Sequence, residues 1–263
     1  MRYYIQYPLV PSCNLRCYYC FHGDEYMSNS LRKITFTIDD YIRWRDACLT
    51  DAEEIWVEML GGETFLPATF NFIEVFLDAT KVEKIELQTN GTLPRANYER
   101  LVGWAHRVKV IGFTYHRKMI DGIPALRERF IGNVRFLRDR GIKVYVKELS
   151  FPEELKGILL NKVFWKNEGV DFRIQPYAGA FRGISAEKPE QYPLFRDMYY
   201  VECGDPVLCS CRDVHKGLCI NPDGTIVACI RYPGVVGNIK KLEYTKGYRV
   251  NRLLGRTEYA RRK

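Results

Sequence analysis

The chain has 263 residues, 46% hydrophobic and 27% charged, with a formal net charge of +8. These values suit a globular protein of one large domain, or one domain with a small appendage, whose core is big enough to fold without disulfides. No apolar run approaches the length of a membrane span, and the N-terminal MRYYIQYPLV lacks the apolar stretch and cleavage site of a signal peptide, so the expected location is the cytoplasm, away from the membrane.

In chain order, the first 177 residues alternate short β-like runs with helix-length segments. The predicted strands are Tyr3–Val10, Glu54–Leu60, Lys84–Thr89, Val108–Tyr115, Lys143–Leu149 and Phe172–Tyr177, each rich in Ile, Val, Tyr or Phe. Helical faces are predicted from Tyr41, Trp44 and Cys48; from Phe70, Ile73 and Leu77; from Tyr98, Leu101 and Ala105; and from Leu126, Phe130, Val134 and Leu137. Cys48 falls on such an apolar face, where a thiol packs as a small hydrophobe. Gly141 stands where a helix C-cap belongs. Six βα units in series predict an α/β fold with a parallel sheet and right-handed crossovers. Six strands are too few for a closed eight-stranded barrel, so an open, partial barrel with a lateral cleft is expected.

After Tyr177 the pattern breaks. An irregular segment, 178–202, leads to five cysteines, then to a hairpin-like stretch, Leu218–Ile230, with Asp223-Gly224 at its turn. The expected division is a barrel core over 1–178 and a cysteine-rich extension over 179–263. Residues 240–263 hold nine Lys/Arg and two Asp/Glu, which concentrates the excess positive charge at this end.

Nine cysteines are many for a reducing compartment, where clustered cysteines bind metal or do chemistry more often than they pair. Cys13, Cys17 and Cys20 form C-x3-C-x2-C in the loop after the first strand. In parallel α/β folds, sites are built at this end of the strands. Three thiolates hold three irons of a cubane and leave the fourth iron open to chelate a small molecule. Two other readings of the residues stand beside this one: a zinc site completed by His22, and unligated core thiols.

The C-x3-C-x2-C run, with an aromatic before its last cysteine, resembles the defining motif of the radical S-adenosylmethionine (radical SAM) superfamily. Gly61-Gly62-Glu63 at the end of the second strand is similar to that family's glycine-glycine-glutamate motif, with Thr64 where the family often has proline. Thr89-Asn90-Gly91 at the end of the third strand resembles a stretch common in its peptide- and small-molecule-modifying branches. The resemblance covers about residues 1–180. It implies a [4Fe–4S] cluster on Cys13, Cys17 and Cys20, with SAM bound to the open iron through its amino and carboxylate groups. It further implies an electron donor such as flavodoxin or ferredoxin, and a 5′-deoxyadenosyl radical that takes hydrogen from a substrate. By the same resemblance Gly61 and Gly62 let backbone approach SAM, Glu63 or nearby carbonyls accept its ammonium, and Tyr19 lies near the adenine. Thr89, Asn90 and Thr114 are then further cofactor-binding candidates. His116, Lys147 and Glu148, also at strand ends, are candidates for substrate contact or proton transfer. Lys147 and Glu148 read equally as a solvated rim pair, because strand parity does not settle which neighbour points inward.

The late cysteines, Cys203, Cys209, Cys211, Cys219 and Cys229, include one on each arm of the predicted hairpin. This arrangement resembles the SPASM or Twitch extension of the same superfamily and implies a second [4Fe–4S] cluster held by four of the five. A structural zinc site and a disulfide pair are the alternatives. For the substrate, the basic tail motivates a nucleic acid or a modified nucleobase, because Lys/Arg neutralising phosphates release counterions. The alternative is maturation of a peptide or small molecule; against the peptide, the chain opens directly on its first strand with no leader-binding domain before it. A non-catalytic alternative is a zinc-stabilised nucleic-acid-binding module.

Overall fold

The computed structural model describes residues 2–9, 12–20, 33–80, 83–150, 154–176, 217–227, 234–245, 248–251 and 256–259. Six strands follow the predicted order: β1 (Arg2–Pro8), β2 (Glu54–Leu60), β3 (Lys84–Thr89), β4 (Val108–Tyr115), β5 (Val144–Ser150) and β6 (Asp171–Pro176). They lie side by side in that order, every pair parallel. The first strand stops at Pro8 rather than running to Val10, and β5 and β6 are each displaced by one residue from the predicted start.

Helices fill the connections: α1 (Ile38–Cys48), α2 (Pro67–Thr80), α3 (Ala96–Glu99), α4 (Arg117–Ile120), α5 (Pro124–Arg138) and α6 (Leu155–Asn167). The start of α1 is set by a capping box, in which Thr37 Oγ1 accepts from Asp40 N at 3.1 Å and Asp40 Oδ2 accepts from Thr37 N at 2.9 Å. Pro124 opens α5, and Gly141 ends its turn at φ +76°, with its N–H on Arg138 O at 2.8 Å and Ile142 N on Leu137 O at 3.2 Å. That pair of bonds is a Schellman cap, which favours glycine at this position. After α3 the chain continues as a 3-10 helix over Arg100–Arg107 where an α-helix was expected. The i, i+3 spacing of Tyr98 and Leu101 serves either helix type, and both residues are fully buried.

The described helices pack on one face of the sheet. Tyr7 of β1 meets Tyr41 of α1 and Phe76 of α2, with ring centroids 5.5 and 5.2 Å apart. Phe113 and Tyr115 of β4 meet Phe130 of α5 at 5.7 and 5.0 Å, and Phe130 in turn meets Trp165 of α6 at 5.9 Å. Alternate residues Tyr3, Ile5, Val57, Met59, Ile85, Leu87, Ile111 and Val146 point into this same core. Cys48 packs half-buried at its edge, its thiol donating to Leu242 O at 3.2 Å.

The opposite face is polar. Gln6 donates to Glu58 at 2.9 Å, and Gln88 Nε2 donates to Glu58 at 3.2 Å and to Glu86 at 3.3 Å and lies 2.8 Å from the Tyr145 hydroxyl. The Arg173 guanidinium lies 3.7 Å from the centre of the Tyr145 ring. Burial, then the charge of Glu58, pushes the Glu86 carboxyl up to about 7. Gly112 makes room for this network, since a Cβ there would lie 2.3 Å from Gln88 Oε1 and 2.5 Å from the Tyr145 hydroxyl.

The late segment joins the free edge of β1. Strand β7 (Gly217–Ile220) runs parallel to β1, with Cys219 in register with Gln6, and β8 (Thr225–Val227), β9 (Val235–Asn238) and β10 (Glu243–Tyr244) continue the sheet antiparallel. The expected hairpin turn is present, with Gly224 at φ +88°. Strands β11 (Tyr248–Asn251) and β12 (Arg256–Tyr259) form a separate antiparallel pair.

Candidate active site

Cys13, Cys17 and Cys20 sit in the loop that leaves the C-terminal end of β1, where the ends of β2 and β3 also arrive. Cys20 N–H donates to Cys17 O at 3.0 Å, closing the last two cysteines into one turn. All three thiols are half-buried, and none of the five described cysteines is in a disulfide. Burial pushes the Cys17 thiol up to about 12; a hydrogen bond from Tyr19 pulls it back, and Cys13 and Cys20 push it further. Cys13 is also raised, chiefly by burial, against hydrogen bonds from Leu15 N–H and Asn90. The Leu15 N–H lies 3.4 Å and Asn90 Nδ2 3.6 Å from Cys13 Sγ.

Two strand ends hold this loop. Glu63 N–H donates to Ser12 O at 2.7 Å, joining the Gly61-Gly62-Glu63 turn to the residue before Cys13. The Glu63 side chain is fully buried and already occupied: Oε1 accepts from Phe65 N at 3.0 Å and Thr89 Oγ1 at 2.7 Å, and Oε2 accepts from Asn90 N at 2.8 Å. Burial raises this carboxyl to about 7 even though the three donors favour its charged form. Its carboxylate therefore clips the β2 end to the β3 end, and Gly61 and Gly62, both half-buried, are what the turn presents. Gly91 follows at φ +71°; a Cβ there would strike the Phe130 ring at 2.5 Å, so only glycine lets the β3 loop lie this close to α5.

Asn14 and Thr92, which the sequence motifs do not mark, complete the fastening. Asn14 Nδ2 donates to Thr92 Oγ1 at 2.9 Å, Thr92 Oγ1 donates to Asn90 Oδ1 at 2.6 Å, and Asn90 Nδ2 donates to Asn14 Oδ1 at 2.8 Å. Their signal in sequence is only adjacency to a motif residue.

Tyr19 does not stand apart from the candidate proton-transfer group. Its buried ring stacks on His116, with centroids 5.9 Å apart, and its hydroxyl lies 3.0 Å from His116 Nδ1. A hydroxyl has one hydrogen. If it serves Cys17, His116 carries its proton on Nδ1 and leaves Nε2 as an acceptor. Burial, then the charge of Lys147, lowers His116 to about 4, which keeps the ring neutral near pH 7.

Alternation separates the remaining candidates. Thr114 and Lys147 are register partners and share the polar face with Gly112 and Tyr145. Glu148, expected among the groups at the cleft, turns instead to the helix side, fully buried, where Arg117 Nε donates to Oε1 at 2.5 Å and Asn161 Nδ2 to Oε2 at 2.9 Å. Burial pushes its carboxyl up to about 7, against the pull of Arg117 and Asn161. Its neighbour in sequence faces the other way because side chains alternate along a strand. Cys219 is buried in β7, whereas Cys203, Cys209, Cys211, Cys229 and His22 lie outside the described residues.

The donor set suits an iron–sulfur cube. Three neighbouring thiols, one receiving backbone and amide N–H groups, are the ligands and outer-sphere donors such a cluster uses. A coordinating metal also reverses the upward pKa shifts, because it deprotonates the thiols it binds. Among the described residues no three His, Cys, Asp or Glu side chains gather around one metal ion. A cube takes one thiolate per iron and needs no such convergence. No described helix is long and apolar enough to cross a membrane.

The six-stranded parallel sheet with helices on one face has the open α/β arrangement that the six βα units predict. Comparison with solved structures agrees. Native anSMEcpe with bound AdoMet (S-adenosylmethionine) matches at TM-score 0.62 and 16% identity, over 91% of this chain and 78% of that one. The same protein with bound AdoMet and a Cp18Cys peptide matches at TM-score 0.61 and 16% identity, over 91% and 77%. With a Kp18Cys peptide the values are 0.62 and 16%, over 91% and 78%. No family model matches the sequence, and no curated protein matches it.

Proposed function

We propose that this chain is a radical SAM enzyme that acts on a peptide. The observation that carries the reading is the fastening of the Cys13–Cys20 loop to the ends of β2 and β3, through Glu63 N–H on Ser12 O and Asn90 on Asn14. That places three thiols where the strand ends of this fold open. Cys13, Cys17 and Cys20 would hold a [4Fe–4S] cluster there, which when reduced would supply the electron for cleavage of SAM to methionine and a 5′-deoxyadenosyl radical. The chain's own residues do the rest. Gly61 and Gly62 offer backbone to the methionine ammonium, since the Glu63 carboxylate is taken up by three donors. Thr114 and Lys147 meet SAM or the substrate from the polar face. His116, neutral and paired with Tyr19, accepts or returns a proton. Glu148 holds Arg117 beneath the site and touches no substrate.

A peptide is favoured because two of the structural neighbours hold AdoMet together with a peptide. No comparison supports the nucleic acid expected from the basic tail, and the tail's side chains beyond residue 245 lie outside the described ones. Cys219, with partners among Cys203, Cys209, Cys211 and Cys229, holds a second [4Fe–4S] cluster in this reading. A flavodoxin or ferredoxin serves as electron donor.

The test is anaerobic reconstitution. The protein should take up about eight irons if both clusters form, and with reductant and SAM it should release 5′-deoxyadenosine. Cys17→Ala should abolish that release while keeping the fold. Candidate peptides deuterated at Cα or Cβ should pass deuterium into 5′-deoxyadenosine, and RNA should not. Stoichiometric zinc with no iron uptake would overturn the enzyme and restore the zinc-module alternative.

A further inference from the structure

We infer that Asn90 tunes the reduction potential of the cluster held by Cys13, Cys17 and Cys20, by directing one amide N–H at the Cys13 sulfur. The inference rests on the cluster assignment just proposed and goes beyond it, since the resemblance placed Asn90 among groups that bind SAM.

The geometry fixes which end of the amide faces the sulfur. Asn90 Oδ1 accepts from Thr92 N at 3.0 Å and from Thr92 Oγ1 at 2.6 Å. A backbone N–H can only donate, so the atom facing Thr92 is the oxygen and the far atom is the nitrogen. That nitrogen places one hydrogen on Asn14 Oδ1 at 2.8 Å, and its second points to Cys13 Sγ at 3.6 Å. Asn14 Nδ2 donates in turn to Thr92 Oγ1 at 2.9 Å, which closes a ring of three side chains around the amide. The Asn90 backbone is pinned as well, its N–H on Glu63 Oε2 at 2.8 Å. Asn90 is only 5% exposed, so solvent offers its amide little competition.

A donor aimed at a ligand sulfur stabilises the more electron-rich form of a cluster, because reduction adds negative charge that the sulfurs share. Removing the donor makes reduction harder and moves the potential more negative. The Leu15 N–H on the same sulfur, at 3.4 Å, belongs to the backbone and survives any side-chain change, so the shift is partial. Asn90 is thus a positioning residue, acting on the reaction through Cys13.

The experiment is a redox titration of reconstituted protein. It follows by electron paramagnetic resonance the signal that SAM perturbs, which singles out the cluster with an open iron. Asn90→Leu keeps the size of the side chain and removes the donor. It should weaken reduction about 3- to 10-fold, the upper value corresponding to about 59 mV for a one-electron couple. Thr92→Val leaves Asn90 in place but removes the hydroxyl that orients it, and should move the potential the same way by less. If Asn90→Leu does not fold, Thr92→Val carries the same readout. Unmoved potentials with normal iron content in the variants that fold would overturn the inference and leave the enzyme assignment standing. Failure of the unsubstituted protein to bind iron would overturn the assignment, and the inference with it.

Discussion

The two faces of the six-stranded sheet are built from the same strands and do opposite things. Toward the helices, Tyr7, Val57, Leu87, Phe113 and Val146 bury their side chains completely or nearly so. Toward the opposite side, Gln6, Glu58, Glu86, Gln88 and Tyr145 bond to one another. The helix face supplies stability, because its apolar area leaves water on folding. The polar face gains little from burial and costs desolvation, which its side chains offset by bonding to one another. A partial barrel has room for both because every strand contributes alternately to each.

The largest effect expected from breaking this contrast is on the helix face. Phe130→Ala removes a ring that joins β4, α5 and α6, and should cost about 3–5 kcal/mol, read from urea denaturation. Glu148→Ala tests the charged exception on that face. It removes one of the two carboxylates on the Arg117 guanidinium, which keeps Asp121 Oδ2 at 2.8 Å, and leaves the Asn161 amide without its acceptor, so it should cost about 1–3 kcal/mol. The double variant Arg117→Met/Glu148→Leu should recover most of the loss, whereas a catalytic carboxylate would not be rescued in activity that way. Glu63→Ala leaves three buried donors without an acceptor, at about 1–3 kcal/mol or more, and should loosen the cysteine loop, measured as faster hydrogen exchange at Asn90 N–H.

The smallest effect belongs to the polar face. The Glu86 carboxyl is raised from an ordinary 4.5 to about 7. The folded chain therefore binds more protons than the unfolded chain between those values, and this group's contribution to stability falls as pH rises through that window. Glu86→Gln should reduce the pH dependence of the urea midpoint between pH 5 and 7.5, with Glu63 and Glu148 supplying what remains, and leave stability at pH 5 nearly unchanged. A Glu86→Gln chain that unfolds like Phe130→Ala would erase the distinction between the faces.

Much of this architecture was legible in the residues. Six β-like runs rich in Ile, Val, Tyr or Phe, separated by helix-period segments, specify six parallel strands because helical crossovers suit parallel pairing. The Asp223-Gly224 turn and the Gly141 cap were legible for a local reason: both need a backbone conformation that glycine adopts freely. The hairpin's place beside β1 was not, since edge pairing is a long-range choice that no local pattern encodes. Nor was the helix type of Arg100–Arg107, where the apolar spacing fits two periods.

At the candidate site the division is similar. The C-x3-C-x2-C run, the Gly61-Gly62-Glu63 turn and Thr89-Asn90-Gly91 were visible as motifs, because each packs its chemistry into a few consecutive residues. Only the tertiary structure decided that the Glu63 carboxylate joins two strand ends, that Lys147 and Glu148 part to opposite faces, that Tyr19 stacks on His116, and that Asn14 and Thr92 orient the Asn90 amide toward Cys13. Those outcomes depend on strand parity and on contacts between residues as many as 97 positions apart. A one-residue shift in register reverses them, and nothing local in the chain records it.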